Sequence, residues 1–503
     1  MRRFVNCRVY AFDRHSRSYR VASELLVDGA TVRAVGDELA GATVETVDLG
    51  GATVAPAFAD CHLHLVETGL NLGPCDLGDV RDAATFAARV AALPDAGIVF
   101  GGGYDESRWL DGASAGAAPL ERAFPDRLAM LVRTDGHSSL VNRRTFAELA
   151  LDPALDGIER DAAGSPTGRL FLDANWTAQA KFYSSIPAYR RRAAARDALD
   201  LALSHGAVHL HAQLIGLPSR DAYAAEIDDL RALGKAKWHP KICERDPALA
   251  RDLGLPYVGG DVFLDGSLGS GTAALCAPYC DRPGNGRLAL DDGAVHAFFS
   301  EADRLGVAAG VHAIGDGAIE QCLQAWERVA RENGGLHARH FVEHFELANS
   351  TQIERAGKLG LFLSMQPQFD ALWGAEGKMY DARLGPERAR TMNALRGALE
   401  AGATLCGGDD SPVCRLAPLE GMAAACAHHN AASRLTPLQA LTMYSHDAAR
   451  FGYVEATTGA LAPGLDADFV VLDRDPFANG AFAGTTVLET WVRGERVYAA
   501  ESA

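Results

Sequence analysis

The sequence predicts an α/β protein built on a (β/α)8 barrel, and three observations lead there. The middle of the 503-residue chain alternates apolar, β-branched runs with Ala/Leu/Arg/Glu-rich stretches of helical character, and eight such runs occur. Both ends of the chain are instead rich in short strands. Histidines and one aspartate recur where the middle strands are predicted to stop, the edge on which such barrels build their active sites.

Taken in order, the first fifty residues read as short strands. Asp28-Gly29 in ELLVDGATVRAVG marks a two-residue hairpin. The last fifty repeat the pattern in ADFVVLDRDPF and TVLETWVRGERVY, the second turning at Gly494. Ends that pair into one small sheet domain, residues 1–55 plus 456–503, bracket an inserted middle of 56–455. Its eight strands are expected in VAPAFADCHLH, GAVHLHAQ (206–213), AKWHPKICE (236–244), GDVFLDGS (260–267), GVAAGVHAIGD (306–316), RHFVEHFEL (339–347), GLFLSMQPQ (360–368) and ATLCGGDDS (403–411). DGAVHAFFSEADRLG and GAIEQCLQAWERVARENG are helices between them. Residues 70 to about 200 are too many for a barrel loop. Within them, GIVFGGGYDESRW and LAMLVRTDGHSSLVN read as strands of an α/β insert that shapes the mouth of the barrel.

Composition narrows the partners. A net charge of −17 argues against nucleic acid and against an anionic membrane surface. No run of about 18 apolar residues is present to span a bilayer. The first twenty residues carry arginines without the apolar segment of a signal peptide. Ten cysteines lack CxxC spacing, and Cys276 and Cys280 form one isolated CxxxC. A cytoplasmic protein with reduced thiols, acting on a small molecule, is expected. The commonest symmetry of soluble oligomers makes a homodimer the expected assembly.

The chemistry collects at the strand ends. In VAPAFADCHLHL, residues two apart share a strand face, so Asp60, His62 and His64 point together. Two parallel imidazoles can close on one cation. His312 follows on strand five, His344 on strand six and Asp410 after strand eight. Convergence on a metal is the simplest physical reason for that coincidence.

On these residues the chain resembles the amidohydrolase superfamily of metal-dependent hydrolases, whose pattern is HxH on strand one, His on strands five and six and Asp on strand eight. More narrowly it is similar to the amidohydrolase-3 (YtcJ-like) branch, through GGGYDESRW, RTDGHSSLVN, FLDGSLGSGTAAL, VHAIGDGAIE, VEHFEL, SMQPQF, GGDDSPV and GALAPGLDADFVVLDRDPF. The resemblance implies a TIM barrel with a small β-sandwich made from both chain ends. It also implies hydrolysis of an amide-like C–N bond of a non-peptide substrate, with a divalent metal, zinc first among the candidates. Binuclear members carry a bridging carbamylated lysine on strand four. Here the matching position is Asp261, several atoms shorter, and Lys241 on strand three is the nearest lysine. One ion is therefore expected, held by His62, His64, His312 and Asp410, with His344 beside the attacking water. Asp410 is expected as general base and then acid, and the metal or His344 to polarise the carbonyl. Gly271 stands where the branch often has arginine.

His137 and Asp265 are expected to touch substrate, and Asp316 to orient His312. Asp105, Glu106 and Trp109 are further candidates for the pocket wall or for the packed insert. GSLGSG lacks the lysine of a phosphate loop. His209/His211 and His428/His429 are further histidine pairs, and His209/His211, on strand two, reads as polar barrel lining. Two alternatives accompany the hydrolase reading, a metal-assisted decarboxylase on the same scaffold and a non-catalytic relative.

Overall fold

A computed structural model describes residues 1–37, 44–95, 97–217 and 219–501; the stretch 38–43 of the expected amino-terminal sheet region lies outside them. All eight expected middle strands form. They are strand one (Phe58–Leu63), two (Ala207–Leu214), three (Lys237–Trp238 and Lys241–Ile242), four (Tyr257–Phe263), five (Ala308–Ala313), six (Phe341–His344), seven (Phe362–Met365) and eight (Thr404–Gly407). Strands three, two and one make one parallel arc, and four to eight make another. Backbone bonds from Asp410 N to His62 O (2.8 Å) and His64 N to Ser411 O (2.9 Å) join strand eight to strand one. Among the described residues no ladder joins strands three and four. The strands are buried on both sides, as expected of parallel sheet covered by helices.

The covering helices carry readable stops and starts. Asp292–Leu305 begins where the Asp291 carboxylate accepts the Ala294 N–H and ends at Gly306 with φ +68°. The next helix, Asp316–Asn333, packs Trp326 flat on Phe299 of its neighbour, ring centres 3.6 Å apart.

Two details differ from the sequence expectation. VAPAFADCHLH divides at Ala57 into Thr53–Pro56, paired in a terminal sheet, and strand one. One unbroken apolar run hides that change of partner. Strand four starts three residues early and is bent at Gly259 and Gly260, whose φ are +86° and +97°. A Cβ on Gly260 would stand 2.5 Å from the Gln213 side chain of strand two. The bend re-aims the next side chain along the strand, that of Asp261.

The chain ends build two sheets. One holds Arg2–Val5, Glu24–Asp28, Thr31–Gly36 and Glu45–Asp48; the other holds Arg8–Asp13, Ser18–Ala22, Thr53–Pro56, Phe469–Leu472, Val487–Val492 and Glu495–Ala499. Both predicted hairpins form, with Asp28 opposite Thr31 and Val492 opposite Glu495. Between the sheets, Phe4 meets Phe469 and Trp491 edge-on at 5.2 and 5.3 Å.

The segment after strand one carries a five-stranded sheet: Ile98–Tyr104, Leu128–Arg133, Ser138–Val141, Ile158–Arg160 and Pro166–Phe171. Its hairpin between Arg133 and Ser138 presents Asp135 and His137 at the tip. Helix Leu172–Ser185 supports that tip, through bonds from Asn175 Nδ2 (3.0 Å) and Gln179 Nε2 (2.7 Å) to the Gly136 carbonyl. Among the described residues, no helix is long and apolar enough to cross a membrane.

Candidate active site

Strand one aims Asp60, His62 and His64 to one side, and the three then part ways. Asp60 braces the backbone, its Oδ1 accepting the N–H of His62 and of Asp409, both at 3.1 Å. Strand eight comes so close that a Cβ on Gly408 would lie 2.7 Å from His62 N. Gly408→Ala should therefore destabilise the protein by about 1–3 kcal/mol, measurable by denaturant titration, and should displace His62. His344, the last residue of strand six, and Asp410, three residues past strand eight, have φ of +73° and +53°, a conformation few side chains adopt without compensation. In regular strand Glu343 and His344 would face opposite sides. The turn at His344 brings both to His62.

Four side chains converge. His62 Nε2 lies 3.4 Å from Asp261 Oδ2 and 3.3 Å from Asp410 Oδ1; His64 Nε2 lies 3.3 and 3.1 Å from the same two oxygens. Most of these separations are long for a charge-assisted hydrogen bond. They suit the edges of a ligand cage instead, since donors about 2.1 Å from one tetrahedral ion stand about 3.4 Å apart. His62 Nε2 and Asp410 Oδ1 are buried without a hydrogen-bond partner. The opposite nitrogens are occupied: His62 Nδ1 lies 2.8 Å from Glu343 Oε2, and His344 Nδ1 lies 2.8 Å from Gln366 Oε1. The Gln366 oxygen places the His344 proton on Nδ1 and leaves its Nε2 as a lone pair, while His62 Nδ1 also faces the Gln213 amide nitrogen at 3.0 Å. The donor set fits a divalent cation.

Charge follows burial and neighbours. Burial alone would pull His62 and His64 down, but Asp261 and Asp410, with Glu343 beside His62, raise both. Asp410 is held well below the usual carboxylate range because the two imidazoles outweigh its burial. Burial and the neighbouring histidines push His344 down to about 4.

The remaining expected residues fall into three groups. His312 and His137 stand at this centre, their ring centres 4.9 Å apart, and His344 is 4.5 Å from His312. Asp261 Oδ2 lies 3.4 Å from His62 Nε2 and 3.3 Å from His64 Nε2, because the bent strand carries the short carboxylate inward. Asp265 does not reach substrate. It is fully buried, and its oxygens accept the N–H groups of Ala274 (2.9 Å), Ile314 (3.0 Å) and Gly315 (2.8 Å). Burial still pushes its pKa to about 7 against those bonds. Asp265 lies 3.5 Å from His312 Nδ1, where Asp316 was expected. Asp316 instead opens the next helix and accepts the Cys276 N–H at 2.8 Å.

Lys241 bridges nothing at the centre. Its ammonium is fully buried, bonded to Glu343 Oε1 (2.7 Å) and the Cys61 carbonyl (2.9 Å). Asp105 and Glu106 hold Arg133 of the insert at 2.8 and 2.9 Å, and Trp109 packs on Phe86. Asp370 sits between His428 and His429, tying two helices. His211 packs between His239 and Phe451.

Two chambers meet at this centre and share Arg133, Asp135, His137, His312, His344, Asp410 and Val413. Sequence reasoning missed Glu343, Gln366, Arg133 and Trp176. Only Glu343 left a trace, as the residue next to His344.

Comparisons with known proteins agree with this architecture. The family model described as the amidohydrolase family matches residues 45–498. YtcJ of Bacillus subtilis (strain 168) is 31% identical over 475 residues, covering 86% of each chain. N-substituted formamide deformylase of Arthrobacter pascens is 24% identical, covering 94% of each. The crystal structure of an uncharacterized metal-dependent hydrolase from Pyrococcus furiosus superposes with a TM-score of 0.73 at 27% identity, covering 95% of this chain and 99% of that one. These likenesses give the chain a TIM-barrel-type α/β fold and place it in the amidohydrolase family.

Proposed function

We propose that the chain hydrolyses the C–N bond of a small non-peptide amide or N-acyl compound. The observation that carries this is that His62 Nε2 and His64 Nε2 each lie 3.1–3.4 Å from an oxygen of Asp261 and of Asp410, with His344 beside His62 and Asp410. His62, His64, Asp261 and Asp410 would hold one divalent cation, with zinc expected from the nitrogen and oxygen donors. Bound there, the cation supplies Lewis acidity, which lowers the pKa of a water and polarises a carbonyl. Asp410, ionised at neutral pH, takes a proton from the attacking water and returns it to the leaving nitrogen. His344, fixed through Gln366, offers a bare Nε2 that orients that water. The acyl-nitrogen chemistry named in the Arthrobacter relative supports the same class of bond. The eight strands are read as a (β/α)8 barrel spanning 56–455, with the insert at about 70–200 and a composite β-sandwich of 1–55 plus 456–503.

Elemental analysis of protein purified without chelator tests the reading. About one equivalent of metal per chain is expected, with amide hydrolysis lost on chelation and regained with zinc. Two equivalents would overturn the single-ion assignment. Hydrolysis that survives complete chelation would overturn the hydrolytic role.

A further inference from the structure

Arg133 is the one arginine or lysine in the walls of the two chambers among the described residues, and it is spent. Its guanidinium meets Asp105 at 2.8 Å, Glu106 at 2.9 Å and Asp135 at 2.8 Å, with Arg169 also on Glu106 at 3.3 Å, so three carboxylates face two cations and Arg133 has no charge to spare. Asp135 also accepts the hydroxyls of Ser267 (2.6 Å) and Ser270 (2.8 Å), so its charge is fixed at the chamber wall. Glu67 adds a second carboxyl group to the larger chamber. The carboxylates of Asp261 and Asp410 match the charge of one divalent cation and leave no surplus positive charge.

The same chamber has an aromatic arm. Trp176, Gln179 and Tyr183 lie at i, i+3 and i+7 of helix Leu172–Ser185, hence on one face, and all three line the cavity. Trp176 stacks on Phe263 with centres 4.7 Å apart and planes 5° from parallel, and both rings are only partly buried. The Trp176 Nε1 donor is buried without a partner. Phe263 ends strand four two residues after Asp261, so the aromatic wall begins beside a candidate metal ligand.

We infer that the site takes uncharged N-acyl compounds with an aromatic substituent, seated against Trp176 and Phe263, and rejects substrates carrying a carboxylate there. This rests on the hydrolytic reading above and adds the substrate class. A carboxylate in the aromatic arm finds no free arginine or lysine to pair with and faces Asp135 and Glu67, which costs binding by like-charge juxtaposition. An aromatic ring gains a stacking surface against Trp176 and Phe263.

Three compounds separate these effects: N-(2-phenylethyl)acetamide, its ring 4-carboxylate and its ring 4-carboxamide, the last a neutral match in shape for the carboxylate. Calorimetric binding to the metal-loaded protein and hydrolysis are measured for each. The parent amide and the carboxamide are expected to bind at least about 100-fold more tightly than the carboxylate. Trp176→Ala is expected to weaken parent binding roughly tenfold, while Trp176→Phe, which keeps a stacking ring, retains most of it. Equal or tighter binding of the carboxylate overturns the inference. So does failure of all three to bind at millimolar concentration, or parent binding indifferent to Trp176→Ala. Binding in the expected order without hydrolysis of any amide leaves the inference standing and counts against the hydrolytic reading instead.

Discussion

Asp410→Asn is expected to lower kcat/KM about 10³-fold or more, and saturating metal should not restore it. Asparagine keeps the size of the side chain but can neither carry the negative charge nor accept the proton from water. Asp261→Asn provides the contrast. Asp261 meets the same two histidine nitrogens, at 3.4 and 3.3 Å, so its loss should weaken metal binding by about 100-fold or more. It is given no proton to move, and excess metal should recover most of its activity. Titrating zinc into both variants while following hydrolysis and bound metal separates the roles. Full recovery of Asp410→Asn by metal would reduce Asp410 to a ligand. Failure of Asp261→Asn to recover while metal is bound would give Asp261 a part in proton transfer.

Much of the architecture was legible because it depends on short-range patterns. The hairpins at Asp28-Gly29 and Gly494 follow from residues that tolerate positive φ. Eight apolar runs ending in polar residues located the strands, since a buried parallel strand carries its signal continuously. The pair His62 and His64 was legible from the two-residue repeat alone. What escaped depends on departures from regular geometry or on contacts far apart in sequence. Strand alternation separates Glu343 from His344, and only the +73° turn at His344 reunites them. Asp261 was discounted on side-chain length, a sound argument for a straight strand but not for one bent at Gly259 and Gly260. Asp265 stands beside His312 where Asp316 was expected, because both follow a strand end and local sequence does not say which carboxylate turns inward. Trp176 lies in a helix of the insert, and nothing in its neighbourhood announces that it stacks on Phe263.

Glu343→Gln should destabilise the protein by about 3–5 kcal/mol, an effect out of proportion to one atom exchanged. Glu343 is fully buried between the Lys241 ammonium at 2.7 Å and His62 Nδ1 at 2.8 Å. Removing its charge strands a fully buried ammonium whose other neighbours are the Cys61 carbonyl and the rings of Phe341 and Phe451, 4.9 and 4.4 Å away. Those rings and one carbonyl do not replace water and a counter-ion. The double variant Lys241→Met/Glu343→Gln should be less destabilised than the sum of the two single changes, because it removes the orphaned charge. The pH dependence has a definite sign. Burial would raise the Glu343 pKa, but Lys241 and His62 outweigh it and lower it from 4.5 to about 2. Its contribution is complete above about 4.5 and is lost as pH falls towards about 2. Urea unfolding of the metal-free proteins should therefore show the stability gap between wild type and Glu343→Gln narrowing as pH is lowered through that window. A gap that stays constant would mean that the charge of Glu343 is not what holds Lys241. A gap below about 1 kcal/mol at neutral pH would mean that the Lys241 ammonium is solvated or re-paired once Glu343 loses its charge.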